Sequence, residues 1–246
     1  MTSKQVMLAA MGFVLCGCSL FEGLGLAPDS GIESPYRTRR VWAVAVLRNE
    51  SGSLVADGAR LADHLAQQLE PVPNLDVIPV NRTIDAMDSV GLEWVRTPDE
   101  ARRVMRTLGV DGLVVGTITA FDPYDPPKLG LAVELYTLES ADALSDSDPR
   151  LMSRAATAIE GPPDNDAVQP VTVISGFYDA SDGNVRRTMM QFARWRGPVK
   201  DTDAWHRYRI SMDLYSQFIA YVTSERLMAA EATRFRSSRE VKEPAS

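Results

Sequence analysis

Few side chains in this sequence can carry chemistry, and their positions decide most of what they can do. Thiols are confined to Cys16 and Cys18, and imidazoles to His64 and His206. With both cysteines ahead of residue 19, the rest of the chain has no means of building a disulfide framework, a cysteine zinc site or a thiol nucleophile. Two isolated imidazoles leave little for metal ligation or proton transfer, which need several convergent donors. Carboxylates are plentiful, and Asp122, Asp125 and Glu134 are the first candidates for paired acid and base work. Asp122 and Asp125, however, belong to Asp122-Pro123-Tyr124-Asp125-Pro126-Pro127, where aspartate equally serves a turn by accepting its neighbours' amides. A phosphate-cradling Gly-Lys loop, a nucleophile-elbow serine and a His-Glu metalloprotease motif are all missing from the sequence. The expectation is a protein without catalytic residues, cofactor or metal. The competing reading, a hydrolase or wall-polymer-binding enzyme of the cell envelope, would rest on Asp122, Asp125 and Glu134.

One group of residues suits recognition better than catalysis. Arg186, Arg187, Arg194, Trp195, Arg196, Arg207, Tyr208 and Arg209 gather basic and aromatic side chains around the junction of two helical patterns. In a chain with a formal net charge of −7, such an island can meet an acidic protein, a lipid headgroup or an anionic polymer. Arginines near helix ends also answer the helix dipole and pair with aspartates, and that plainer role competes with the first. Tyr124 in the proline-rich turn is a second candidate contact. The acidic balance makes nucleic acid an unsuitable principal partner.

The N-terminus carries an address. Residues 1–18 read MTSKQVMLAAMGFVLCGC: one lysine, then an apolar run too short to span a bilayer as a mature helix, as in a secretory leader. The run ends in Leu15-Cys16-Gly17-Cys18, an aliphatic residue, two small residues and a cysteine. This resembles the lipobox of bacterial lipoproteins. The resemblance implies a signal peptide over residues 1–17 and acylation of Cys18, with palmitate or a similar chain joining its diacylglycerol. Two or more chains anchor stably, at about 0.8 kcal/mol per buried methylene. Ser19, where an aspartate would favour the inner membrane by family analogy, directs the expected location to the periplasmic face of the outer membrane. Residues 18–39, rich in Gly, Pro and Ser and without a hydrophobic period, are expected to form a flexible tether.

The body, residues 40–236, patterns as a single α/β (α+β) domain: about five strands in a mixed sheet packed by helices, with a long C-terminal helix. Arg40 to Val46 predicts a strand buried on both faces. Leu54 to Leu69 predicts a helix stopped by Pro71, with Leu61, Leu65 and Leu69 inward and His64 on the solvent face. Leu75 to Val80 predicts a second strand, placed at an edge by Pro79. Asn81 is expected to cap a helix to about Ser89. Thr97-Pro98-Asp99-Glu100 is a capping box with proline at the first helical position, and Gly109 closes that helix. Val110 to Phe121 and Leu129 to Leu138 predict a hairpin across the proline-rich turn. Gly112 and Gly116 are expected to admit a closely packed helix. Residues 139–169 predict a mobile acidic loop that lacks the glycine and glutamate of a calcium loop. Pro170 to Tyr178 predicts the last strand, Val185 to Arg196 a helix capped by Asp179 or Ser181, and Thr202 the start of a final helix. Trp205, Tyr208, Met212, Tyr215, Ile219 and Val222 form its seam, expected to pack in the core rather than on a coiled-coil partner. Residues 237–246 are expected to be a disordered tail.

The order strand, helix, strand, helix, strand, strand, with the segment Leu108-Gly109-Val110-Asp111-Gly112-Leu113-Val114-Val115-Gly116, resembles a periplasmic α/β domain. That domain is shared by the N-terminal domain of the TolB family, the curli-secretion lipoprotein CsgG and LpoB-type activators of peptidoglycan synthases. The segment Tyr178-Asp179-Ala180-Ser181-Asp182-Gly183 resembles a turn that in this group joins two late strands, although here a helix pattern follows it. The membrane-spanning hairpins of CsgG have no counterpart in this sequence, so pore formation is not implied. The resemblance implies a lipid-anchored, non-catalytic adaptor or regulator of a cell-envelope assembly, with an envelope protein as partner.

Overall fold

A computed structural model describes residues 31–138, 170–196 and 203–242, with side chains through Ser237. The leader with Cys18, the acidic segment 139–169, Thr202 and the last four residues lie outside the described residues.

Six strands and six helices are described, in the order β1 (Arg40–Val44), β2 (Arg48–Asn49), α1 (Gly58–Leu69), β3 (Leu75–Val77), α2 (Val80–Ser89), α3 (Pro98–Leu108), β4 (Gly112–Asp122), β5 (Lys128–Thr137), β6 (Thr172–Asp179), α4 (Gly183–Arg196), α5 (Ala204–Ile210) and α6 (Met212–Lys242). The sheet runs β3-β1-β4-β5-β6, with the two-residue β2 paired to β4. β3, β1 and β4 are parallel, whereas β4, β5 and β6 are antiparallel. This is the mixed α/β architecture expected from the sequence, with the short β2 as the addition.

Each half of the sheet follows from its sequence. β1 is buried on both faces: Trp42, Val44 and Leu47 join one core cluster and Ala43 and Ala45 the other. α1, α4 and α6 contribute Leu65, Phe192, Tyr215 and Phe218 to the first layer, while α2 and α3 contribute Met87, Val104 and Met105 to the second. Fully burying one such aliphatic or aromatic side chain contributes roughly 1.5–3 kcal/mol, so the sandwich holds by its two apolar faces. The capping box of α3 is present, with Thr97 accepting from the Glu100 amide and Gly109 in the left-handed conformation at φ 66°. Asp111 then ties the chain to β1, its Oδ2 accepting from the Val41 amide at 2.7 Å.

Several local expectations are corrected. α1 starts at Gly58 rather than Leu54, because Asp57 supplies the cap by accepting from the Ala59 and Arg60 amides at 3.0 Å each. α2 is preceded by Pro79, and Asn81 accepts only from its neighbour Arg82. Gly112 and Gly116 face side chains of the neighbouring β1 segment, not a helix: a Cβ at Gly112 would stand 2.7 Å from the Trp42 ring, and one at Gly116 2.9 Å from Leu47. Asp182 caps α4, accepting from the Asn184 and Val185 amides, while Asp179 accepts from Ser181. The final helix is two helices, broken at Ser211, whose backbone is extended and whose Oγ accepts from the Leu214 amide. α6 runs on to Lys242, past the expected start of the tail at residue 237.

The stretch 31–39, expected to be tether, belongs to the packed body. Ile32 and Tyr36 are buried, and the Tyr36 carbonyl accepts from Asn74 Nδ2 at 2.9 Å. Arg39 pairs with Asp76 of β3.

Candidate functional site

Three loops meet at the carboxyl ends of β1 and β4, the end of a parallel sheet where α/β folds usually present their ligand sites. The first, between β2 and α1, is held by Asn49: its Nδ2 donates to the Ser53 carbonyl at 2.7 Å, and its Oδ1 accepts from Ser51 Oγ at 2.7 Å. Pinned at its base, the loop projects Leu54 and Val55 into solvent. The second is the β4–β5 turn, where Asp122 accepts from the Tyr124 amide and Tyr124 is 80% exposed. The third is the α5–α6 junction, where the break at Ser211 leaves Ile210 72% exposed. Arg209 of α5 reaches Asp125 of the turn, Nε to Oδ1 at 2.7 Å, and so fastens the second loop to the third. The two surface candidates of the sequence, the turn with Tyr124 and the end of the arginine island, are thereby one surface.

Between these loops lies a cavity of about 320 Å³ with apolar walls, among them Val55, Leu61, Phe121, Pro123 and Met212. Asp57, Arg60, His64, Asp213 and Ser216 complete its lining. Asp213, in the first turn of α6, accepts from Arg60 Nε at 2.7 Å and from Gln217 Nε2 at 3.2 Å, and stands 3.3 Å from His64 Nε2. His64 is not on the solvent face as its helical position suggested: its side chain is 7% exposed. The α6 N-terminus covers it through Asp213, a contact between segments far apart in the chain that helical periodicity has no way to register. Burial pushes its pKa below the usual histidine value, against the opposing pull of Asp213. The geometry assigns a neutral ring with Nε2–H toward Asp213, which leaves Nδ1 buried and without a partner among the described residues.

Four ionisable groups converge here, yet each is already engaged. Arg60 and His64 are turned to Asp213, and Asp57 is occupied by the α1 amides. Glu134 does not converge with Asp122 and Asp125 of the turn, and Asp125 is taken up by Arg209. Asp122 and Lys128 are cross-strand partners at one end of the hairpin, and Glu134, six residues beyond Lys128, lies about 20 Å away along β5 at ~3.4 Å per residue. A glycosidase pair needs a separation of about 5–9.5 Å. Glu134 instead accepts from the Tyr136 hydroxyl at 2.6 Å. Among the described residues no group of three or more His, Cys, Asp or Glu side chains is arranged to hold a metal ion.

The arginine island divides by role. Trp195 and Tyr208 pack against Phe192, and the Arg196 guanidinium lies 5.2 Å from the Phe192 ring centroid while reaching Gln68 of α1. Arg186, Arg187, Arg194 and Arg207 face solvent, with Arg187 donating to Asn184 at 3.3 Å.

Sequence reasoning missed Glu231, which is wholly buried in α6. It accepts from the Tyr36 hydroxyl at 3.0 Å, from Thr172 Oγ1 at 2.5 Å, and from Arg234 Nε and Nη2 at 3.0 and 2.8 Å. Burial, reinforced by the neighbouring carboxylate, drives the Tyr36 phenol far above its ordinary pKa. The Glu231-x-x-Arg234 spacing was the one available signal.

The class these features define is an α/β protein with a mixed open sheet, helices on both faces and an apolar-walled cavity framed by loops at one end. Solved structures similar to it include the LpoB C-terminal domain from Salmonella enterica, at 11% identity and TM-score 0.39, over 60% of this chain and 84% of that one. Lipoprotein GNA1162 from Neisseria meningitidis is similar at 12% identity and TM-score 0.39, over 62% of this chain and 94% of that one. The hypothetical protein CT253 from Chlamydia trachomatis is similar at 13% identity and TM-score 0.38, over 78% and 99%. No family model and no curated protein matches this chain. No helix among the described residues is long and apolar enough to cross a membrane.

Proposed function

We propose that this chain is a lipid-anchored, non-catalytic adaptor or regulator of a cell-envelope assembly, and that the loop end of its body is where an envelope protein docks. The observation that carries the reading is the concentration of exposed apolar side chains, Leu54, Val55, Tyr124 and Ile210, on three loops framing one cavity. Scattered single apolar residues need no explanation, but several around a concave site of a few hundred Å³ suit a partner's anchoring side chain. The pairing of Arg60 with Asp213 supports a wall for such an anchor. The leader pattern of residues 1–17 ahead of Cys18 supports an anchor in the envelope, and Ser19 supports the periplasmic face of the outer membrane.

The test is photo-crosslinking in intact cells from a probe at Tyr124. The expected result is one envelope protein captured in a manner lost with Val55→Asp or Ile210→Asp, and a Cys18→Ala precursor that incorporates no palmitate. Capture no greater than from a probe at Arg103, on the far face of α3, would remove the docking proposal. Retained palmitate in the cysteine variant would remove the anchor.

A second reading, hydrolysis, has one observation in its favour: a buried imidazole beside a carboxylate in a cavity. Turnover of a wall fragment that disappears in His64→Gln would establish it.

A further inference from the structure

At the opposite edge of the sheet β6 ends the strand order, with no neighbour beyond it among the described residues. Its inner side pairs with β5 over eight residues without a bulge, from Thr172↔Leu135 to Asp179↔Lys128. The Ala180 amide donates to the Pro127 carbonyl at 3.0 Å, which makes Ala180–Pro127 a hydrogen-bonded pair. Antiparallel ladders alternate, so Thr172, Ile174, Gly176 and Tyr178 turn their backbone groups toward β5. Val173, Ser175 and Phe177 consequently turn theirs outward. Their side chains lie on the sheet face opposite the one that buries Tyr178 and Thr172 against α6, and Val173 is 58% and Phe177 62% exposed.

Edge strands usually carry a proline, an inward charge or a bulge that blocks further pairing. From Thr172 to Tyr178 this strand has no proline and no charged residue, Asp179 at its end is paired with Lys128, and its register from Thr172 to Asp179 is unbroken. Among the described residues it is a pairing-competent edge without cover.

We infer that β6 joins β6 of a second copy of this chain, antiparallel across a two-fold axis at Ser175. Register selects this occupant. With Ser175 on the axis, Val173 lies opposite Phe177 of the second copy and Phe177 opposite its Val173, so both exposed apolar side chains gain an apolar neighbour at once. A two-residue slip one way sets Val173 against Ser175, and a slip the other way sets it against Asp179. A two-fold contact must be self-complementary, and this strand is so about that one residue. Although the chain carries a net charge of −7, Thr172 to Tyr178 are neutral and Asp179 falls opposite Val171 of the second copy, so no like charges meet on the axis. An eight-residue strand is about 27 Å long, a narrow contact below the roughly 800 Å² per partner of stable complexes. The association is therefore weak and concentration-dependent, and the copies continue one sheet across the contact.

Cysteine crosslinking tests the register directly. Hydrogen-bonded antiparallel partners have Cα atoms about 5.5 Å apart, inside the roughly 4.4–6.8 Å range a disulfide spans. In full-length protein with Cys16 and Cys18 changed to serine, Ser175→Cys gives a covalent homodimer under mild oxidation. Val173→Cys and Phe177→Cys crosslink when mixed far more than either does alone. Ser175→Lys, which sets two ammonium groups on the axis, abolishes the dimer in sedimentation velocity while its circular dichroism stays that of the parent. The inference is overturned if Ser175→Cys crosslinks no more than Arg186→Cys on the exposed face of α4. It is equally overturned if the parent sediments as a monomer at all concentrations while binding an added extended peptide at β6.

Discussion

Replacing Glu231 by alanine is the sharpest test of how the N-terminal stretch is held. The carboxylate is fully buried and receives four hydrogen bonds, two of them from Arg234. Glu231→Ala strands a guanidinium, a phenol and a hydroxyl without their acceptor. Leaving the buried Tyr36 and Thr172 hydroxyls unsatisfied costs about 1–3 kcal/mol each, and with the loss of the Arg234 contact about 3–5 kcal/mol in all. For a body of this size each kcal/mol lowers Tm by roughly 2–4 °C, so the expected fall is about 6–20 °C. Tyr36→Phe removes one bond to a charged acceptor and costs about 1.5–3 kcal/mol. The informative assay is a double-mutant cycle of Tyr36→Phe with Glu231→Ala, read by urea unfolding. Residues sharing one hydrogen bond show a coupling of about 0.5–3 kcal/mol. A Glu231→Ala protein within about 0.5 kcal/mol of the parent, the scatter of ordinary surface changes, would refute the network. Strict additivity in the cycle would show that Tyr36 is fixed by something else.

Two further outcomes follow from local geometry. His64 has a folded pKa held below its ordinary 6.5 chiefly by burial, so the unfolded chain takes up the proton first. Its contribution is fully present above that value and is lost as pH falls through the window down to the folded pKa. The melting temperature of His64→Gln should therefore lose less than that of the parent between pH 7.5 and 5, and a parent that gained on acidification would mean a charged imidazole paired with Asp213. Gly112→Ala places a methyl 2.7 Å from the Trp42 ring, an overpacking worth about 1–3 kcal/mol in denaturation. Trp42→Phe in the same chain should recover part of the loss, and an unperturbed single variant would disprove the contact.

What was legible in the sequence was whatever one segment decides alone. The capping box at Thr97, the left-handed Gly109, the two-faced burial of β1 and the hairpin across the proline-rich turn all depend on residues within a few positions of one another. The misreadings share another origin. His64 looked solvated because helical periodicity reports only the face that α1 turns to the sheet, and α6 covers a second face. Gly112 and Gly116 signalled a close approach correctly, but the partner was the β1 segment lying beside them. The single C-terminal helix became two because Ser211 caps from inside the pattern, with Asp213 in the following first turn, a signal the apolar seam concealed. Ile32 and Tyr36 were hidden by a Gly- and Pro-rich setting that has no period to read. The loop-end cavity, assembled from segments around residues 55, 122 and 212, had no local signature at all.

The junction of Tyr36 with Glu231 and Thr172 also sets where mechanical load enters the molecule. Traction on the chain ahead of Ile32 does not peel β1, which lies inside the sheet between β3 and β4. It arrives at a phenol clamped to α6 and, through the same carboxylate, to β6. Pull from one terminus is thus shared by the longest helix and the outermost strand, and the sheet is strained only after that clamp gives way.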